Sequence, residues 1–167
     1  MKKILFEAHA DPVLIKTSSR VSDAALAVRA KLLMACGGKG LCATCHVYVT
    51  DGMDCLSPIT PRERTSLTML ADRQPNSRLA CQAKVLREGV KIALPQGQFI
   101  ESSLDLESLV GRRAEQRILH PVHGGVLIEA GKIITRSRLR ELNFVELDVA
   151  EMRTRSLTID RNQKKER

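Results

Sequence analysis

A chain of 167 residues has room for one domain of about a hundred residues and a smaller appendix. Apolar residues make up 43% and aromatic residues 2%, so Leu, Ile, Val and Ala must fill the core, and a base-stacking single-strand binder, which relies on aromatic platforms, is disfavoured. The formal net charge of +8 is uneven: residues 1–100 carry 14 Lys and Arg against 8 Asp and Glu, a balance suited to an acidic protein, a nucleic acid or a lipid surface. No run approaches the roughly 20 apolar residues that span a bilayer. Glu7, His9 and Asp11 interrupt the first apolar run too early for a secretory signal, so a soluble cytoplasmic protein is expected.

Two short strands are predicted over residues 4–8 and 13–16, with turn chemistry from Asp11-Pro12 between them. Strong helix formers fill residues 24–35, with Ser22 as the expected N-cap and an end forced at Gly37-Gly38. A strand over 46–50 leads to a turn at Asp51-Gly52. Thr60, Pro61 and Glu63 then spell a helix start with a capping box, the helix running to about Ala71. Strands follow over 79–85 and 90–94 around Glu88-Gly89. The order strand, strand, helix, loop, strand, helix, strand, strand predicts an α+β domain ending near Ile100.

Residues 101–111 read as a connector of weak helical bias. Strands are expected over 116–119 and 126–130 around the turn at His123-Gly124-Gly125, with a second turn at Gly131-Lys132. Thr135 caps a short basic helix to Leu142, 145–149 alternates strictly as a half-buried strand, and the charged tail is expected to be disordered.

The chemistry lies in Cys36-Gly-Gly-Lys-Gly-Leu-Cys42-Ala-Thr-Cys45, with Cys81 far downstream. A binuclear iron cluster needs four thiolates, and its sulfurs attract backbone N–H groups. A loop with Gly37, Gly38 and Gly40 can wrap closely enough to present them, and Cys81 on a later strand closes the site. The alternatives fit less well. Structural zinc asks for two short Cys/His pairs, and only Cys42–Cys45 has that spacing. A redox-active Cys-x-x-Cys opens a helix, whereas Cys45 leads into a strand.

Cys36-x5-Cys42-x2-Cys45 continuing as His46-Val47-Tyr48-Val49, together with Asn76-Ser77-Arg78-Leu79-Ala80-Cys81-Gln82, resembles the [2Fe–2S] ferredoxins of the adrenodoxin and bacterial class. Plant-type ferredoxins place four residues between the first two ligands, and this chain has five. The resemblance covers about residues 1–100. It implies a β-grasp fold, a cluster near the surface held by Cys36, Cys42, Cys45 and Cys81, and one-electron transfer between a reductase and an acceptor protein. It also implies an acidic docking face, from which this sequence departs: Arg62, Arg64 and Arg73 stand against Glu63 and Asp72. The partners expected here are therefore redox proteins with acidic docking faces.

Around the site, Cys55 reads as a free thiol and His46 as a structural neighbour of the cluster. Lys39 is either a tuning charge or a solvated lysine, and Arg78 is an anchor for a carboxylate. His9, His120 and His123 read as surface or turn residues. No nucleophile–base or carboxylate pair marks an enzyme. All-thiolate ligation predicts a low potential, on the order of several hundred millivolts negative. Beyond the connector, Gly111-Arg112-Arg113, Gly125-Val126-Leu127 and Gly131-Lys132-Ile133-Ile134-Thr135 resemble a small β-rich segment of the large bacterial RNA polymerase subunits. The expected architecture is a β-grasp domain over 1–100, a connector over 101–111, a small β-rich domain over 112–160 and a charged tail over 161–167. The alternative function is a redox- or cluster-sensing regulatory module whose C-terminal domain binds another macromolecule.

Overall fold

The computed structural model describes residues 1–70, 73–99, 107–120, 125–138 and 140. The chain divides into two compact units, Met1–Pro95 and Gln96–Arg167. The first carries every cysteine.

In the first unit, β1 (Lys2–Phe6) pairs antiparallel with β2 (Val13–Ile15) across the Asp11-Pro12 turn. After α1 (Val21–Ala27) come β3 (His46–Asp51), α2 (Pro61–Leu67), β4 (Ser77–Leu79) and β5 (Val90–Ala93). The mixed sheet has the order β2-β1-β5-β3-β4. β5 runs parallel to β1 and antiparallel to β3, so the last strand sits in the middle. This is the α+β arrangement expected. Alternation places Ile4 and Phe6 of β1, Val47 and Val49 of β3, and Val90 and Ile92 of β5 in one core, with Val21, Leu67 and Leu79. Each such large side chain contributes about 1.5–3 kcal/mol on burial.

Three elements differ from expectation. α1 begins one residue before Ser22, with Arg20 as N-cap and Asp23 Oδ2 accepting the Arg20 N–H at 2.9 Å. It stops at Ala27, well short of the glycines. Arg29 takes a left-handed φ of 53°, its N–H bonds Leu26 O, and the Ala30 N–H bonds Ala25 O. That pair of bonds is a Schellman ending, here on arginine instead of glycine. Helix propensity in residues 30–35 is overridden by packing: Leu32 and Met34 lie against the core, and Ala35 N–H is held by Thr44 Oγ1 at 3.1 Å.

The second difference is in β4, which ends at Leu79, so Cys81 lies in a turn and not on a strand. Ala80 N–H bonds Cys45 O, and the N–H groups of Gln82 and Ala83 both reach Leu79 O. A straight strand would carry Cys81 past the other cysteines. The third is in α2, where only half of the capping box forms. Thr60 Oγ1 accepts the Glu63 N–H at 3.1 Å, but the Glu63 carboxylate turns inward, as the next subsection describes.

In the second unit, β6 (Gln98–Phe99) runs parallel to β7 (Ile118–Leu119), which pairs antiparallel with β8 (Val126–Ile128). The strand β6 thus belongs here, and the first unit closes at Pro95, ahead of Ile100. Ala114, Ile118, Leu119, Ile128 and Ile134 are buried. His120, expected at a surface or turn position, is buried at 4% exposure. Residues 136–138 and 140 are helical, with Thr135 Oγ1 accepting the Arg138 N–H at 3.4 Å. The strand expected over 145–149, His123 and the charged tail lie outside the described residues. No helix among the described residues is long and apolar enough to cross a membrane.

Candidate metal centre

Between the end of α1 and the start of β3 the chain forms an irregular loop, and its three cysteines meet Cys81 from the turn after β4. All four thiols are buried, none more than 4% exposed. They come together in two pairs. Cys36 is hydrogen-bonded to Cys42, and Cys45 Sγ donates to Cys81 Sγ at 3.2 Å.

Backbone N–H groups converge on the sulfurs, as the glycine-rich sequence requires. Cys36 accepts from the backbone at Leu41, Lys39 and Cys42, and Cys81 from the backbone at Gly40. Gly40 makes this possible with φ +70°. The conformation calls for glycine, and a Cβ there would stand 2.7 Å from Gln82 Cδ and so displace that side chain.

The two pairs titrate alike. The hydrogen bond from Cys42 draws Cys36 down to about 5, and the same bond, with burial, pushes Cys42 far up. The hydrogen bond from Cys45 draws Cys81 down to about 7, helped by Gln82, while Cys45 is pushed well up by that bond and by burial. Ligation needs both sulfurs of each pair deprotonated, so metal loading releases protons.

Two pairs of thiols with N–H donors on their sulfurs suit a core of two irons. Structural zinc draws four ligands to one ion. Among the described residues no three Cys, His, Asp or Glu side chains are grouped to hold a single ion.

Several supporting residues were not singled out in the sequence. Thr44 Oγ1 lies 3.0 Å from Cys42 Sγ while accepting Ala35 N–H, so it ties the connector to a ligand. Gln82 Nε2 donates to Cys81 Sγ at 3.4 Å and to Gly38 O at 3.3 Å. Ser66 Oγ on α2 donates to Gly40 O at 2.6 Å, fixing the loop from the helix side. A hydroxyl two residues after a Cys and an amide directly after one were visible signals, but neither residue type is specific.

The residues that were singled out fall as follows. Arg78 finds its carboxylate in Glu63: Nε donates to Oε1 at 2.8 Å and Nη2 to Oε2 at 3.1 Å, both side chains buried. His46 shares a hydrogen bond with Ser77 Oγ at 2.9 Å across β3 and β4, a structural use of the ring. Cys55, half-buried on a short 3-10 turn, has its Sγ 3.9 Å from Asp54 Oδ1.

A bond from an amide N–H to a ligand sulfur stabilises the more negative, reduced state. Gln82→Leu is expected to lower the midpoint potential by roughly 40 mV, the one-electron equivalent of about 1 kcal/mol of differential hydrogen bonding. Gln82→Glu, which removes the donor and adds a charge, should lower it further. A redox titration followed in the visible range measures both, and an unchanged potential would show that the amide leaves the sulfur once metal is bound.

Residues 13–86 match the family described as the 2Fe-2S iron-sulfur cluster binding domain. The ferredoxin CarAc of a Sphingomonas species is 44% identical over 66 residues, 38% of this chain and 61% of that protein, so the chain spans less than two thirds of that relative. The 2Fe-2S ferredoxin of Escherichia coli K12 is 33% identical over 102 residues, 58% of this chain and 92% of that one. Among solved structures, the ISC-like [2Fe-2S] ferredoxin FdxB of Pseudomonas putida superposes with a TM-score of 0.53 at 29% identity, covering 57% of this chain and 93% of that one. The cysteine loop, the mixed sheet and an alignment that runs almost the full length of the E. coli protein agree: this chain belongs to the 2Fe-2S ferredoxin family and binds a [2Fe–2S] cluster.

Proposed function

We propose that the chain is a one-electron carrier between a reductase and an acceptor protein. In this reading Cys36 and Cys42 hold one iron, and Cys45 and Cys81 hold the other. The observation that carries it is the arrangement of four buried thiols as two pairs beneath a loop whose N–H groups meet their sulfurs. When bound, the cluster supplies reversible one-electron chemistry at low potential. The chain's residues do the rest. The loop's N–H groups lower the cost of added negative charge, burial keeps water from the sulfurs, and the glycines keep the cover over them thin enough for a partner to approach.

The test is an anaerobic dithionite titration of protein assayed for iron and sulfide. One electron per two irons, an S = 1/2 signal on reduction, and reoxidation by ferricyanide are expected. A colourless protein holding zinc, or a reduced centre that ferricyanide does not reoxidise, would reject the carrier. Electron exchange should also survive removal of residues 96–167. Its loss would move the reading to the regulatory module acting through the C-terminal unit.

A further inference from the structure

Three consecutive peptide groups of the thiol loop are built alike. A trans peptide points its C=O and its N–H in opposite directions, so whatever holds the carbonyl also aims the N–H. In the peptide joining Gly38 to Lys39, the carbonyl accepts from Gln82 Nε2 at 3.3 Å and the N–H meets the sulfur of Cys36. In the next, Lys39 to Gly40, the carbonyl accepts from Arg62 Nη1 at 3.3 Å and the N–H meets Cys81. In the third, Gly40 to Leu41, the carbonyl accepts from Ser66 Oγ at 2.6 Å and the N–H meets Cys36.

Two of these three donors come from α2. Arg62 and Ser66 stand four residues apart, the spacing that puts side chains on one face of a helix. The helix is itself anchored. Glu63 takes Arg78 Nε, Arg78 Nη2 and the Leu79 N–H, which ties α2 to the segment leading into Cys81. A peptide whose carbonyl accepts a hydrogen bond is a stronger N–H donor, because bonds in a chain polarise one another. Held carbonyls therefore do two things at the sulfurs: they fix the direction of each N–H and they strengthen it.

We propose that Arg62 and Ser66 are positioning residues for electron transfer, which act through the Lys39–Gly40 and Gly40–Leu41 peptides to raise the midpoint potential of the cluster. The proposal rests on the carrier reading and its ligand set. Neither side chain touches a sulfur; each works on the far end of a peptide that does. Ser66 is the cleaner of the two, being buried and uncharged, so its removal changes the bond and no charge. The sign follows from the N–H groups, which favour the more negative, reduced state.

The experiment is a redox titration of full-length holoprotein, read as the reduced-to-oxidised ratio at the parent's own midpoint. Ser66→Ala is expected to lower that ratio about threefold, a shift of about 28 mV at about 59 mV per tenfold for one electron. Ser66→Thr keeps the hydroxyl and should recover most of the fall. Thr65→Ala removes an α2 hydroxyl that bonds Pro61 O instead of the loop, and should leave the ratio within about 1.5-fold of the parent. Arg62→Ala is titrated at about 1 M salt, where a Debye length of about 3 Å screens the lost charge, and a fall of about twofold or more is expected. Arg64→Ala removes the same charge from the same helix and should stay near the parent under those conditions.

An unmoved or raised potential in Ser66→Ala with a normal visible spectrum would overturn the proposal. So would equal falls in Ser66→Ala and Thr65→Ala, or a Ser66→Thr ratio no better than that of Ser66→Ala. If Ser66→Ala fails to load its cluster, the two arginine variants decide, since both side chains are exposed and outside the core. Equal ratios in Arg62→Ala and Arg64→Ala at high salt would then overturn it. Reoxidation of the parent by ferricyanide separates the two levels: without it the carrier reading fails and this proposal falls with it, whereas with it only the role of α2 is at stake.

Discussion

Cys81→Ala should purify with less than about a tenth of the parent's iron and sulfide, since loss of even an outer partner of a metal ligand costs 10–100-fold in affinity and loss of a ligand costs more. The structural ground is the pairing: Cys81 receives the Cys45 thiol at 3.2 Å, and its removal leaves Cys45 without a companion. Cys55→Ser is the matched control. Its sulfur lies against Asp54 on a separate turn, and full loading is expected. Iron and sulfide assays with the visible spectrum read both variants. A normal spectrum in Cys81→Ala would break the proposed ligand set, and a bleached Cys55→Ser would bring the fifth thiol into the site.

Glu63→Ala is expected to destabilise the first unit by about 3–5 kcal/mol, because it strands a buried guanidinium without its counter-charge. The cost is spread over three donors. The carboxylate takes Arg78 Nε, Arg78 Nη2 and the Leu79 N–H, the last at 2.9 Å, while Arg78 Nη2 also reaches Ser57 O at 2.9 Å. Glu63 therefore binds α2 to β4 directly before the turn that carries Cys81, so the variant should also lose its visible absorption faster in denaturant. Urea unfolding of the loaded protein measures the stability. Glu63→Leu combined with Arg78→Met should recover most of the loss, since a buried pair replaced by apolar side chains of similar volume is often neutral. Failure of the double variant to recover would mean that the Leu79 N–H and Ser57 O, left without partners, dominate.

The loop and its cysteines were legible in the sequence because spacing and glycine are strong local signals. So was the order of the elements, where turn residues and caps such as Thr60-Pro61 agree with the fold. The length of α1 was not. Residues 24–35 favour helix by propensity, and what ends it at Ala27 is the docking of Leu32 and Met34 on the core and of Ala35 on Thr44, contacts made across the fold. Cys81 was placed on a strand because Leu79, Ala80, Ala83 and Val85 are apolar. Such a run does not distinguish a strand from a buried turn. Glu63 had two possible uses, as a capping-box acid and as a partner for Arg78. Only the tertiary structure chooses between a surface bond worth a few tenths of a kcal/mol and a buried bidentate pair.

The central position of β5 also governs the order in which the molecule can be made. β1 and β3 have no common neighbour until residues 90–93 arrive between them, so the β1–β2 pair and the β3–β4 pair stay unjoined until β5 is made. All four thiols have by then emerged, on a framework that is not yet closed. Pairing the first strand with the last makes folding dominated by distant contacts, and therefore slow beside a helical bundle of similar size. Cluster insertion during translation would meet an open site, and insertion after Ala93 has joined the sheet would meet a formed one.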